Sequence, residues 1–230
     1  LLPALFTTFP GAVPASLLGN NKATSVWGTA FASFIYIRRV QLPIKALSVG
    51  ALLALLGSFL GAWCVTQVDA SLFKAALPLL LTALLIYTLL KKEVGQLNAP
   101  KFEDNALVLR LAFVGAFIGF YDGFFGPGTG SFFVFVLVRW IGFDFLHASA
   151  GAKVLNTASN FAALLLFSLQ GLVWWHLALP LAISNVLGSY LGTRIALDKG
   201  AGFVRYFFIL VVSLLIVKTG YDFIWPLLAK

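Results

Sequence analysis

Long apolar runs alternate with short polar breaks along this chain. Three runs fill the first half, at about 16–38, 42–66 and 70–90. Each is long enough to cross a hydrocarbon core as a helix, which takes roughly 20 residues. A polar, basic stretch follows from Lys91 to Asp104, with Asn98-Ala99-Pro100 inside it. The second half opens with an apolar run at 106–121. Asp122-Gly123-Phe124-Phe125-Gly126-Pro127-Gly128-Thr129-Gly130 interrupts it, and a short apolar run resumes at 131–141. Three more long runs, at about 147–170, 172–197 and 201–224, complete the chain. The pattern predicts an all-α polytopic membrane protein. As one helix, residues 106–141 would be about 54 Å long at 1.5 Å per residue. The apolar core of a bilayer is only about 30 Å thick. A re-entrant hairpin of two pieces meeting at the glycines fits better.

The pattern also repeats. Gly57-Ser58-Phe59-Leu60-Gly61 returns as Gly188-Ser189-Tyr190-Leu191-Gly192, 131 residues later. The same shift superposes the three long runs of each half and lays Lys22 on Lys153. The expected organisation is a first transmembrane repeat at 1–97, a basic linker at 98–105 and a second repeat at 106–230. The run 131–141 maps onto the first ten residues, and the glycine-rich break maps just before Leu1. An N-terminal element like 106–130 is therefore expected upstream. With a hairpin in each repeat the number of passes is odd, and the second copy is inverted. Charge agrees with inversion. Arg38, Arg39, Lys91, Lys92, Arg139, Arg194, Lys199 and Arg205 can then all face the cytoplasm. The turns at Gln67 to Ala70 and at Gln170-Gly171 carry no Lys or Arg and face outside.

Composition supports the membrane reading. The mean hydropathy is +0.97, and 10% of residues are charged, against about 25% in a soluble domain. The net charge of +8 sits in short clusters at helix ends rather than in one patch. That distribution fits membrane orientation and not nucleic-acid binding. One cysteine, Cys64, excludes an internal disulfide. Together with the two separate histidines, His147 and His176, it makes no metal site. No cofactor is expected. No HExxH, GxSxG or paired carboxylates stand near the membrane surface, so an enzyme is not expected.

Candidate chemistry gathers at three places. The break at Asp122–Gly130 puts four glycines and a proline at membrane depth, where freed backbone groups need protein, water or a ligand. A helix starting near Thr129 or Ser131 aims N–H groups and a positive dipole end at that point, which suits an anion. The other reading is a tight hairpin that the glycines merely permit. Lys22 and Lys153 are intramembrane cations and so candidates for anion binding, or else they snorkel to the interface. Ser25 and Thr29 follow Lys22 at the same spacing at which Asn156 and Asn160 follow Lys153. Each set lies on one helix face. They can complete an anion shell with Asn21, Gly126, Gly128, Thr129, Gly130 and Ser131, or simply hold the bundle together. Asp122 is either a proton-coupling carboxylate or a cap for the broken helix. Gly57/Gly61 and Gly188/Gly192 are expected to permit close helix contact.

Tyr121-Asp122-Gly123-Phe124-Phe125-Gly126-Pro127-Gly128-Thr129-Gly130-Ser131, then Ala148-Ser149-Ala150-Gly151-Ala152-Lys153-Val154-Leu155-Asn156 and Ser159-Asn160, resembles the TauE/SafE family of sulfite-exporter-type permeases. Gly19-Asn20-Asn21-Lys22 resembles that family's Leu-Gly-Thr-Asn-Lys motif, with Asn20 in place of the threonine. The resemblance spans nearly the whole chain. It implies a multi-pass carrier of the bacterial inner membrane for small sulfur-containing anions such as sulfite, thiosulfate or sulfonates. The expected mechanism is alternating access, with the lipid bilayer and the anion as partners and room for a homo-oligomer. An anion channel and a non-transporting structural subunit are the alternatives.

Overall fold

The computed structural model describes residues 1–68 and 98–228. The run expected at 70–90 lies outside the described residues. The first half holds α1 (Leu2–Thr8), α2 (Pro14–Arg39) and α3 (Ile44–Gln67). The second holds α4 (Asp104–Phe124) and α5 (Thr129–Val136), which runs on as a π-helical turn at Leu137–Ile141. Next come α6 (Phe145–Leu169) and α7 (Trp175–Leu228), which breaks at Gly200 with φ 74° and ψ −170°. The architecture is all-α and polytopic. Helices α3, α4 and α6 are each long and apolar enough to span a membrane. Pro14 opens α2, where its missing N–H costs no hydrogen bond. Asp144 caps α6 by accepting from the His147 backbone N–H at 2.8 Å.

The hairpin forms as the sequence predicts. Ala99 N–H donates to the Gly142 carbonyl at 3.0 Å and Lys101 N–H to the Ile141 carbonyl at 2.8 Å. The approach to α4 is thus tied to the exit of α5, so the two pieces leave and return at the same end. The break is shorter than expected. Asp122 and Gly123 belong to α4, and only Phe125 to Gly128 lie between the helices. Within α4, Gly123 packs against the Ser58 carbonyl of α3, where any Cβ would collide.

That contact is one of a series. Side chains added at Gly115, Gly119 and Gly123 of α4 would strike the carbonyls of Gly50, Ala54 and Ser58 on α3. Side chains added at Gly57 and Gly61 of α3 would strike the carbonyls of Ala116 and Phe120 on α4. Backbones this close gain dispersion and weak Cα–H···O contacts, the terms that hold helices together in lipid. The expectation for Gly57/Gly61 therefore holds. For Gly188/Gly192 no such contact is found among the described residues: both are exposed, with no described atom within 4 Å of a Cβ built there. No described segment packs on that face of α7.

Core clusters separate the two ends of the bundle. At one end the start of α2 (Leu17, Leu18) packs with Leu166 and Phe167 from the end of α6. At the other, Ala32 and Tyr36 of α2 pack with Ala150 of α6 and Ala196 of α7. So α2 and α6 are antiparallel. Arg38, Arg39, Arg139, Arg194 and Lys199 are all exposed and belong to this second end. Gln67 and Gln170 belong to the first.

Candidate functional site

Helices α2 and α6 pack antiparallel along their length, beside the broken hairpin and the first arm of α7. A cavity of about 240 Å³ lies between them. Asn21, Lys22, Ser25 and Thr29 reach it from α2, spaced to share one helix face. Lys153, Asn156 and Asn160 reach it from α6 by the same spacing. The hairpin supplies Asp122, Gly126, Gly128, Thr129 and Gly130, and α7 supplies Asn185 and Ser189. All but one of the candidate anion-binding residues named from the sequence meet here. The exception is Ser131, which does not line the cavity. It stands two positions after Thr129, about 200° around a helix with 3.6 residues per turn.

Lys22 does not snorkel. It is 1% exposed, and its ammonium lies 2.6 Å from Asp122 Oδ1. Ser159 donates its hydroxyl proton to Asp122 Oδ2 at 2.6 Å. Ser58 in turn donates to the Ser159 carbonyl at 2.6 Å. One polar chain therefore links α3, α6, α4 and α2. Both Asp122 oxygens are occupied, as a buried carboxylate requires. Asp122 caps nothing: Gly128 is the N-cap of α5, and no side chain accepts from that helix's first turn. The capping expectation is thus corrected, because Asp122 lies inside α4, two residues before its end, and points at Lys22.

The break is fixed by its own bonds. Tyr121 donates its hydroxyl to the Pro127 carbonyl at 2.6 Å, and Thr129 donates to the Gly126 carbonyl at 2.8 Å. Gly126 and Gly128 have φ of +85° and +79°, a region that side-chain-bearing residues rarely adopt. A Cβ at Gly126 would also meet Lys22 Nζ at 3.5 Å. Helix α5 thus begins at the cavity wall with Thr129 and Gly130, and its first N–H groups carry the positive end of the helix dipole.

Lys153 differs from Lys22. Among the described residues its ammonium has neither an ion pair nor a hydrogen bond. Asn21, Ser25, Asn185 and Ser189 likewise make no side-chain hydrogen bond with described residues. Asn156 accepts from Asn160 Nδ2 at 3.3 Å. The cavity therefore offers one unpaired ammonium with amides and hydroxyls that have capacity to spare. No cluster of three metal-binding side chains occurs among the described residues.

The sequence reading missed Asn185, Ser189 and Ser159. Ser189 stands inside the repeated Gly-x-x-x-Gly stretch, read there only as a packing motif. Asn185 precedes it by one turn, and that polar pair in an apolar run was the available signal. Asn20, in the motif beside Lys22, proves structural. It is fully buried and accepts the Trp174 backbone N–H at 3.0 Å, which secures the entry to α7.

Residues 1–219 match the family model described as sulfite exporter TauE/SafE. A Haemophilus influenzae protein described as "Probable membrane transporter protein" is 34% identical over 97% of this chain and 86% of its own length. "Probable membrane transporter protein YfcA" of Escherichia coli is 33% identical over 96% of the chain and 81% of its own length. "Probable membrane transporter protein ORF9" of a Sinorhizobium species is 36% identical over 98% and 85%. No solved structure matches. The chain belongs to the TauE/SafE family and is a multi-pass transporter of the bacterial inner membrane.

Proposed function

We propose that the cavity between α2, α6 and the broken hairpin binds the transported substrate, a small sulfur-containing oxyanion such as sulfite, thiosulfate or a sulfonate. The observation that carries this reading is the Lys153 ammonium, which lacks a carboxylate among the described residues and stands in a cavity lined by amides, hydroxyls and glycine backbone. Lys153 supplies the charge. Asn21, Ser25, Asn156, Asn160, Asn185 and Ser189 supply oriented donors, and Gly126 to Gly130 let backbone approach the ligand. A water takes up about 30 Å³ of liquid, so a cavity of about 240 Å³ holds a small oxyanion with several waters.

Two inverted repeats, 1–97 and 106–230 flanking a linker at 98–105, provide the moving parts. Support comes from element bounds. Shifting Pro14–Arg39 by 131 residues gives 145–170, against Phe145–Leu169 for α6. The same shift brings Ile44–Gln67 to 175–198, the first arm of α7. The antiparallel course of α2 and α6 supports inversion. One repeat rocking against the other would expose the cavity to each side in turn. Asp122, the acid beside the cavity, is the candidate for proton coupling.

The test is sulfite uptake and efflux in proteoliposomes, with sulfate, thiosulfate and sulfoacetate as competitors. Saturable flux with counterflow is expected, and non-saturating flux without counterflow would point to a channel. Folded Lys153→Ala and Gly128→Leu proteins that move anions at the parental rate would sink the site assignment.

A further inference from the structure

Among the described residues, three charged side chains line the cavity, two ammonium groups and one carboxylate. Lys22 and Asp122 cancel each other at 2.6 Å. Ser159 donates to the second Asp122 oxygen at 2.6 Å, which holds the carboxylate in place. What is left is the single positive charge of Lys153. The rest of the described lining is neutral amide, hydroxyl and glycine backbone. The first turn of α5 adds the positive end of a helix dipole, equivalent to about half a unit charge at most. The wall thus offers more than one positive charge and less than two.

We propose that this balance makes the cavity selective for a monoanion, and that Asp122 is the residue that sets the selection. The inference rests on the cavity being the substrate site. It narrows the ligand to hydrogensulfite or a sulfonate with no second acidic group, and it disfavours thiosulfate and sulfate. A charge taken out of water needs an opposite charge beside it. A monoanion beside Lys153 leaves the cavity neutral. A dianion leaves one negative charge unmatched, in a wall that already holds a carboxylate, and like charges placed together are strongly disfavoured. Shape makes no such distinction. A cavity of about 240 Å³ has room for sulfate and methanesulfonate alike, both tetrahedral at sulfur. Nor do the neutral donors, which serve the oxygens of either anion. Asp122 acts through charge: by cancelling Lys22 it withholds the second ammonium from a second negative charge.

The test is titration calorimetry on purified full-length protein in detergent, at constant ionic strength, with methanesulfonate and sulfate as probes. Around neutral pH the first is a monoanion and the second a dianion. The parent should bind methanesulfonate at least about tenfold more tightly than sulfate. Asp122→Asn removes the cancelling charge, so sulfate should gain about tenfold on methanesulfonate. Lys22→Met with Asp122→Leu removes both charges and leaves the balance as it was. Its ratio should stay within about threefold of the parent's. The double variant leaves no ion buried alone, so it gives an answer even where Asp122→Asn does not fold. Sulfate binding by the parent as tight as methanesulfonate binding, or tighter, overturns the proposal. So does an unchanged ratio in folded Asp122→Asn, or a double variant that shifts toward sulfate as the single does. Sulfite flux of the parent in proteoliposomes is measured in parallel. Flux with sulfate preferred, or with neither probe bound, sinks the monoanion selection alone. Absence of both flux and binding sinks the substrate site with it.

Discussion

Replacing Asp122 by Asn removes the negative charge beside Lys22 while keeping the side-chain shape and a hydrogen-bond partner for Ser159. Opposite charges 2.6 Å apart attract by about 6 kcal/mol at an effective dielectric near 20. Much of that offsets the several kcal/mol that each ion lost on leaving water. The measurable penalty for removing one partner is the smaller figure of about 3–5 kcal/mol, because the other charge stays buried alone. Lys22 is 1% exposed, and Asp122 is its only ion-pair partner among the described residues. In a chain of this size each kcal/mol moves the melting temperature by about 2–4 °C. Asp122→Asn should therefore melt about 6–20 °C below the parent, read from tryptophan fluorescence of purified protein in detergent. Lys22→Gln should fall as far. The double change Lys22→Met with Asp122→Leu should recover most of the loss, since an apolar pair of similar volume replaces a buried ion pair at little cost. Single variants melting within about 2 °C of the parent would refute the view that this pair holds α2 to α4.

Gly57→Leu forces a side chain into the Ala116 carbonyl of α4. It should cost about 1–3 kcal/mol or more by overpacking, seen as a lower melting temperature and loss of a monodisperse elution peak. Gly28→Ala pushes against Asn185 and Ser189, whose side chains can yield only toward the cavity. It should cut anion flux about tenfold, the effect of roughly 1.4 kcal/mol on the transport barrier, while melting stays near the parent's. Asn20→Ala leaves the Trp174 N–H without its partner and should cost about 1–3 kcal/mol of stability, with the half-saturating sulfite concentration unchanged. Ser131→Ala should leave flux unaltered where Thr129→Ala lowers it, because only Thr129 lines the cavity.

The helices were legible because lipid imposes a length and a hydropathy on each span. The runs at 16–38, 42–66 and 147–170 differ by two residues or fewer from α2, α3 and α6. The hairpin was legible for the same reason: 36 consecutive helical residues do not fit the bilayer. The length of its break was not. Gly123 looks like a breaker in isolation, yet it lies inside α4 and admits the close approach of the Ser58 carbonyl of α3. Gly115 and Gly119 were unremarked for a related reason, since a glycine in an apolar run reveals its purpose only through the backbone opposite. The spacing of polar residues behind Lys22 and Lys153 correctly put both sets on inward faces. What it cannot carry is pairing across the chain. Lys22 meets Asp122 from a hundred positions away, and local pattern holds no trace of that.

The interlock of α3 and α4 limits how the protein can move. Each carbonyl of one helix occupies the socket of an absent side chain on the other, at five successive places. Two rods keyed together in this way cannot slide past each other, so they act as a single two-ply strut. Helix α3 lies in the first of the two repeats and α4 in the second, so rocking of one repeat against the other would pivot about this strut and not shear across it. Phe125 to Gly128 is the joint at its tip. Two side-chain bonds pin it, Tyr121 to Pro127 and Thr129 to Gly126. The stiffness of the carrier thus resides in glycines that lie outside the cavity, and its compliance in glycines that line it.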